Sequence, residues 1–398
     1  MQENTKTEEI EEMKDDGSEE FKSFDDMELD DCLLRGIYAY GFEKPSYIQM
    51  RAIVPFSRGR DLIAQAQSGT GKTATFLIGV LQKIHKEVGK KTKPQAIIVA
   101  PTRELAQQIF MVCNHLSKYM KVLSHCAIGG TSVYDDIRSL EKGVHIVIGT
   151  PGRILHLCSK KYLDTGSVKT IILDEVDEIF STGFKDQIYD IFQFLPEECQ
   201  VGLFSATMQD VTLELSKKIL RNPVKVFVKN EEVTLQGISQ FYIDVKKDYY
   251  KFETLLDIYD KLTISQTIIY LNSKKQAEIL SENLEKNGHS VSCIHSNLSQ
   301  KERESVIKAY RRGESRILIA TDIIARGIDV QQVSIVINYD LPREKDTYIH
   351  RIGRSGRFGR KGIAINLVSS SDYEMLQTIE KYYATEISEM PLNIDHYL

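Results

Sequence analysis

No apolar run in this chain approaches the roughly 20 residues that cross a bilayer, so no membrane-spanning helix is expected. The N-terminus has neither the apolar core of a secretory signal nor the basic amphipathic pattern of an organelle leader; it is acidic instead. The six cysteines, Cys32, Cys113, Cys126, Cys158, Cys199 and Cys293, form no Cys-x-x-Cys pair. That argues against a zinc site or a disulfide framework and for free thiols in a reducing compartment, cytoplasmic first and nuclear second. Short-period repeats are absent as well.

Acidic side chains outnumber basic ones overall, 56 to 51. The formal net charge is −5, which alone argues weakly against nucleic acid. The distribution reverses that reading. Residues 1–31 carry 14 acidic and 3 basic side chains, which leaves the other residues six positive. The acidic segment has few apolar residues before Phe21 and reads as a disordered, solubilising tail. At 398 residues the chain exceeds one comfortable core, so two domains are expected.

The strongest positive signal is Ala66-Gln67-Ser68-Gly69-Thr70-Gly71-Lys72-Thr73, directly after the apolar run 61–65. A strand feeding a glycine-rich turn, with Lys and Thr opening a helix, is a phosphate cradle. Glycines allow positive φ and close backbone wrapping, so N–H groups point at phosphate oxygens. Lys72 is placed to reach the β- and γ-phosphates, and Thr73 can offer its hydroxyl to Mg²⁺. The first glycine of the usual pattern is Ala66 here. About a hundred residues on, Thr170-Ile-Ile-Leu-Asp-Glu-Val-Asp177 ends a strand in the carboxylate pair Asp174-Glu175. The two segments together point to a nucleoside triphosphate bound with magnesium and hydrolysed.

Apolar β-branched runs alternate with amphipathic stretches throughout. Strands are predicted at 61–65, 95–100, 145–149, 170–174 and 200–204, then at 267–271, 291–294, 316–320, 333–338 and 363–368. Continuous apolar strands separated by helices mean parallel sheets covered on both faces. The polar segment 229–239 after Asn222-Pro223 is assigned as the linker. The second half lacks a phosphate loop but holds the basic run 350–361, in which arginines are spaced by glycines. A solvated charge run is one reading; planar recognition of phosphate is the other.

These residues resemble the DEAD-box RNA helicases. The resemblance is carried in order by 41–49 (Gly-Phe-Glu-Lys-Pro-Ser-Tyr-Ile-Gln), 66–73, 101–106 (Pro-Thr-Arg-Glu-Leu-Ala), Gly129-Gly130, 150–153 (Thr-Pro-Gly-Arg), 174–177, 205–207 (Ser-Ala-Thr), 325–329 (Ala-Arg-Gly-Ile-Asp) and 350–357. It runs from about Phe21 to Leu398. Segments 33–42, 329–332 and 390–393 are similar to the family's translation-initiation branch, with its exon-junction branch next. The resemblance implies two tandem RecA-like doubly wound α/β domains with parallel sheets and a short linker: a tail over 1–21, an ATPase domain over 22–228, a linker over 229–239 and a second domain over 240–398. The activity implied is RNA-stimulated ATP hydrolysis with Mg²⁺. ATP and single-stranded RNA would bind across an open cleft and close it, separating short duplexes.

Residue roles follow from the same resemblance. Ala66, Gln67, Ser68, Gly69, Thr70, Gly71, Lys72 and Thr73 cradle phosphates. Gln49 reads the adenine edge, Phe42 packs on the base, and Phe24 either supports it or staples the following helix. Asp329 bonds the ribose. Asp174 and Thr73 hold Mg²⁺, and Glu175 orients the attacking water. Arg354 and Arg357 act as arginine fingers. Asp177, Ser205, Thr207 and His350 couple the two sites. Pro101, Thr102, Arg103, Gly130, Thr150, Pro151, Arg153, Arg303 and Thr321 contact RNA. Thr and Pro suit the cap and first turn of a helix, whose free N–H groups, with arginine beside them, grip phosphates without reading bases; ordinary strand-to-helix turns are the alternative. The partners implied are single-stranded RNA of little sequence preference and an initiation scaffold protein bridging the domains of a monomer. The other readings are an ATP-locked RNA clamp of exon-junction type and a DNA-stimulated translocase.

Three departures stand out. The family's Asp-Glu-Ala-Asp is Asp-Glu-Val-Asp here, and Val176 adds bulk that costs ~1–3 kcal/mol if its neighbours do not yield. The family's His-Gly-Asp is His295-Ser296-Asn297, which weakens any carry-over at those positions. Tyr47 and Met50 are unusual residues with no clear consequence.

Overall fold

The computed structural model describes residues 19–66, 69–85, 92–207, 210–227, 238–262, 266–322, 333–355 and 362–391. The tail to residue 18, most of the linker segment, Gln67, Ser68, Asp329 and Arg357 lie outside the described residues. The chain divides into two compact units, one ending at Val228 and one starting at Lys229.

The first unit is built on seven parallel strands: β1 Leu62–Gln65, β2 Ala96–Val99, β3 Ser124–Ala127, β4 Ile146–Gly149, β5 Thr170–Asp174, β6 Gln200–Ser205 and β7 Val224–Phe227. Their order is β3-β4-β2-β5-β6-β1-β7. The inner strands are runs of Ile, Val and Leu and are buried on both faces, as stiff β-branched side chains under helical cover should be. The second unit has β8 Ile238–Lys246, β9 Thr267–Tyr270, β10 Val291–Ile294, β11 Ile317–Ala320, β12 Ile335–Asn338, β13 Gly362–Ser369 and β14 Ser388–Glu389. Their order is β10-β11-β9-β12-β13-β8-β14. Counted from its own first strand, each sheet runs 3-4-2-5-6-1-7, so the two units share one strand order.

The strands that sequence patterning missed are β3, β7, β8 and β14. Three of them lie at sheet edges, where one side faces water and no continuous apolar run is needed. β3 reads Ser-His-Cys-Ala and is mostly half-buried, while β7 alternates buried and half-buried positions. β8 begins at Ile238 and so takes the last two residues of the segment assigned as linker.

Two apolar clusters cover the faces of the first sheet. One gathers Phe24, Leu33, Phe56, Phe76 and Phe204; the other gathers Val99, Leu157, Leu173, Ile179 and Leu203. Val176 belongs to the second and is fully buried there. All six cysteines are free thiols, and burial pushes Cys113 and Cys199 up to about 12, which makes them inert at neutral pH.

Because Val176 fills space inside a closed cluster, Val176→Ala should leave a small cavity. We expect a loss of about 2 kcal/mol in urea unfolding, with the slope against denaturant unchanged. An unchanged or raised midpoint would mean that valine is strained at this position.

Candidate functional site

Apart from Phe24 and the segment 41–49, which precede β1, every segment singled out in the first unit leaves the carboxyl end of a strand, where open α/β sheets bind ligands. The strand order sorts these segments. The ends of β3, β4 and β2 carry Gly129-Gly130, Thr150-Pro151 and Pro101-Thr102, side by side. The ends of β5, β6 and β1 carry Asp174-Glu175, Ser205–Thr207 and the phosphate loop.

Gly69 and Gly71 take φ of 88° and 96°, the left-handed conformations that the loop reading required. A Cβ on Gly71 would lie 2.5 Å from Gln49 Nε2. Gln49 is buried, its Oε1 accepts from the Ser46 N–H at 2.9 Å, and its Nε2 donates to the Gly71 carbonyl at 3.4 Å. The amide therefore ties the capping box of the helix Tyr47–Ser57 to the phosphate loop. The Ala66 N–H donates to the Ser205 carbonyl at 3.1 Å, so the loop starts inside the sheet. Thr73 sits half-exposed in the first turn of the helix Lys72–His85. Phe42 is half-buried, whereas Phe24 is fully buried with its ring 6.5 Å from that of Phe42. Phe24 therefore backs Phe42 and offers no face to a base.

Lys72 Nζ lies 3.1 Å from Glu175 Oε1, and both side chains are buried. Glu175 sits at φ 49°, a left-handed turn that leads from β5 into the helix Val176–Ser181. Its N–H donates to Asp174 Oδ1 at 3.0 Å. Burial, and then the neighbouring Glu175, pushes the Asp174 carboxyl up to about 7 against the pull of Lys72. Thr207 Oγ1 donates to Asp177 Oδ2 at 2.8 Å, and Ser205 Oγ donates to the Thr207 carbonyl at 2.6 Å. The last carboxylate of the Asp-Glu-Val-Asp is thus bonded to the Ser-Ala-Thr segment.

On the other side, Thr102 caps the helix Arg103–Leu116 by accepting from the Leu105 N–H at 3.2 Å. Thr150 precedes Pro151 at the start of the helix Pro151–Ser159 and makes no side-chain cap bond. Gly130 takes φ of 83°, and a Cβ there would lie 2.6 Å from Arg103 Nη1, so Arg103 lies against the Gly129-Gly130 turn. Arg153 corrects an expectation. Its guanidinium is paired with the Asp136 carboxylate, and its Nη2 donates to the Thr131 carbonyl at 2.8 Å. Asp136 also accepts from His125 Nε2 at 2.8 Å, and both members of the Arg153–Asp136 pair are buried. Arg153 therefore braces the glycine turn, and its charge is paired with Asp136. Neither Asp136 nor His125 carried a sequence signal, because the pairs join residues 17 and 11 apart that lie on different elements.

In the second unit, Arg303 plays a similar part. Its Nε donates to the Leu298 carbonyl at 3.1 Å and its Nη2 to the Ser296 carbonyl at 2.8 Å. It holds the His295–Leu298 turn after β10. Thr321 is buried at the end of β11, with its N–H directed to the Ile294 carbonyl. Arg354 Nε donates to the His350 carbonyl at 3.2 Å. The residue that anchors this region was overlooked in the basic run. Arg351 is fully buried and bonds Asp322 Oδ1 (2.6 Å), Asn338 Oδ1 (3.2 Å), the Asp340 carbonyl (2.7 Å) and Asn272 Oδ1 (2.8 Å). It fixes the helix Lys345–Ile352 to the ends of β9, β11 and β12.

The Arg153 geometry gives a prediction of sign. If Arg153 simply contacted phosphate, removing its partner carboxylate would free it and strengthen RNA binding. As a brace it needs that partner. Asp136→Asn should weaken two unrelated single-stranded RNAs alike, by about tenfold or 1.4 kcal/mol. Fluorescence titrations read this, and a gain in affinity would contradict the brace.

The comparisons with known proteins agree with this geometry. Residues 46–215 match the DEAD/DEAH box helicase domain, and residues 250–359 match the helicase conserved C-terminal domain. The chain is 54% identical over 373 residues to Eukaryotic initiation factor 4A of Caenorhabditis elegans, which covers 94% of this chain and 92% of that protein. It is 54% identical over 376 residues to Eukaryotic initiation factor 4A of Drosophila melanogaster, covering 94% and 93%. Among structures, Dbp5 of S. cerevisiae bound to RNA and ADP BeF3 superposes with a TM-score of 0.86 at 39% identity, covering 94% of this chain and 97% of that one. With both domain matches in their expected order and such identity along nearly its whole length, the chain belongs to the DEAD/DEAH box helicase family.

Proposed function

We propose that this chain is an ATP-dependent RNA helicase of translation initiation, one that clamps single-stranded RNA and separates short duplexes. The observation that carries the reading is the buried Lys72–Glu175 pair at 3.1 Å, which puts a phosphate-loop lysine and a water-orienting carboxylate in one pocket. Relatives more than half identical are named Eukaryotic initiation factor 4A and ATP-dependent RNA helicase eIF4A, which supports the same reading.

ATP phosphates entering the cradle draw Lys72 away from Glu175. The released Glu175 is then available to orient and deprotonate water. Mg²⁺ fits the donor set, since Asp174, Glu175 and Asp177 crowd negative charge around one lysine in a buried place. Asp174 and the Thr73 hydroxyl are the residues that would hold it, and it would neutralise charge developing on the phosphates. Phe42 and Gln49 take the base. Arg354 and Arg357 are the proposed arginine fingers, and Asp329 the ribose ligand. The link Asp177–Thr207–Ser205 ties the helix after the carboxylate strand to the end of β6.

Helix starts at Thr102 and Pro151, with Arg103 against the glycine turn, suit the backbone of an RNA strand and read no base. Preference for RNA then rests on 2′-hydroxyls. A scaffold protein of initiation is the proposed partner of a monomer. No helix among the described residues is long and apolar enough to cross a membrane, which is compatible with the proposed cytoplasmic placement.

The test is phosphate release at saturating ATP with a single-stranded RNA and its DNA twin of identical sequence. RNA should stimulate turnover at least tenfold and DNA should not. Equal stimulation by both would favour a DNA-directed translocase; tight ATP-dependent RNA binding with negligible release would favour a locked clamp.

A further inference from the structure

The second unit contains a cavity of about 380 Å³ between the helices Lys251–Lys261 and Lys274–Lys286, and nothing in the proposed function uses it. That volume falls within the roughly 300–1,000 Å³ of ligand sites. The wall is part apolar, with Phe252, Leu271, Ile279 and Leu280, and part acidic, with Asp248, Asp340 and Asp372. Lys251 is the one cation among the lining residues. Its ammonium is buried and lies 3.0 Å from Asp248, 3.4 Å from Asp340 and 3.3 Å from Asp372. Burial alone would lower the Lys251 pKa, yet the three carboxylates outweigh it and raise it. Three carboxylates against one ammonium leave the cavity two negative charges in excess.

That excess selects the occupant. Nucleotide and RNA phosphates are repelled. A cation on an aliphatic stem is favoured: the stem lies along Ile279 and Leu280, and the head meets Asp248, whose side chain is 71% exposed. Arginine suits the place better than lysine, because its planar fork pairs with a carboxylate in two bonds and stacks on an aromatic face. Tyr339 supplies such a face, and its ring centre already has a cation 5.9 Å away in Lys251 Nζ. Ile279 stands 48% exposed at the rim, an apolar contact for the residues flanking such an arginine.

The cavity is also wired to the arginine helix. Asp340 Oδ1 meets Lys251, and Asp340 Oδ2 accepts the Asn272 N–H at 3.0 Å. The Asp340 carbonyl and Asn272 Oδ1 are two of the four acceptors that hold buried Arg351. Arg351 lies in the helix that leads to Arg354. A guanidinium competing for the Asp248 and Asp340 carboxylates shifts Lys251, and with it the residues that seat Arg351.

We propose that this cavity is a docking site for an arginine-bearing peptide segment of a protein partner, and that its occupancy adjusts the Arg351 helix through Asp340 and Asn272. The second half of this proposal rests on the helicase reading; the first does not.

The experiment uses the full chain without RNA and a fluorescein-labelled Leu-Arg-Leu-Arg peptide, its citrulline twin, and spermidine as a non-peptide cation. Anisotropy should show saturable binding of the arginine peptide, at least tenfold tighter than the citrulline twin, with spermidine a poor competitor. Asp248→Asn and Ile279→Ser, both at exposed positions, should each weaken it at least fivefold. Asp248→Asn also separates the cavity from the acidic N-terminal segment, whose charge it leaves intact. Equal binding of both peptides, no saturation up to millimolar protein, full displacement by equimolar spermidine, or indifference to both variants would each overturn the docking site. Saturating peptide should then change RNA-stimulated ATPase at least twofold in the native chain, and Asp248→Asn should need at least fivefold more peptide for the same change. An unchanged rate in an active enzyme would overturn the coupling. Absent ATPase would count against the helicase reading, and the anisotropy result on docking would stand.

Discussion

One buried ion pair organises the catalytic half of the first unit. Lys72 opens the helix after β1, and Glu175 directly follows β5, two strands that are not neighbours. Their contact brings the phosphate loop to the carboxylates before any ligand arrives. Taking two charges out of water is costly, and their attraction repays it only with good geometry and further bonds. Here the surroundings are acidic, since Asp174 and Asp177 lie close by. Such a pair adds little to stability, but it keeps both groups placed.

The common strand order explains how two functions fit on each sheet. In the first unit, the carboxyl ends of β3, β4 and β2 are neighbours and present helix starts and a glycine turn, while β5, β6 and β1 present carboxylates and the phosphate loop. In the second unit, β10, β11 and β9 hold the corresponding places. There the turn after β10 is braced by Arg303, and Asn272, two residues past the end of β9, seats Arg351. Both units thus spend an arginine on holding backbone carbonyls of a turn: Arg153 on Thr131 and Arg303 on Ser296. A braced turn presents its N–H groups in fixed directions, which suits a backbone that is gripped and not read.

Much of this was legible in the sequence for a physical reason. Buried parallel strands need unbroken β-branched runs, and phosphate loops need glycine where φ is positive, so β2, β4, β5 and Gly69–Gly71 announce themselves. Edge strands such as β3 and β7 need no such run and were missed. The arginines were legible as charges but not as partners. Arg153, Arg303 and Arg351 look alike in a sequence, and only the fold supplies Asp136, the Ser296 carbonyl and the Asn272–Asp340 seat. Phe24 could have supported Phe42 or stapled the following helix, and its fully buried ring lies 6.5 Å from that of Phe42. Val176 looked like a crowded replacement and proves to be packed in an apolar cluster.

The most direct test of the central claim is to remove one charge of the ion pair and measure binding and turnover separately. In Glu175→Gln the side chain keeps its size, but Lys72 loses its anionic partner. ATP affinity by equilibrium titration should stay level or rise, because the lysine is no longer held back from the phosphates. Phosphate release with RNA should fall by ~10²-fold or more, the usual scale for losing a positioned base. Native rates of release, or a loss of ATP affinity as large as the loss of turnover, would contradict the account.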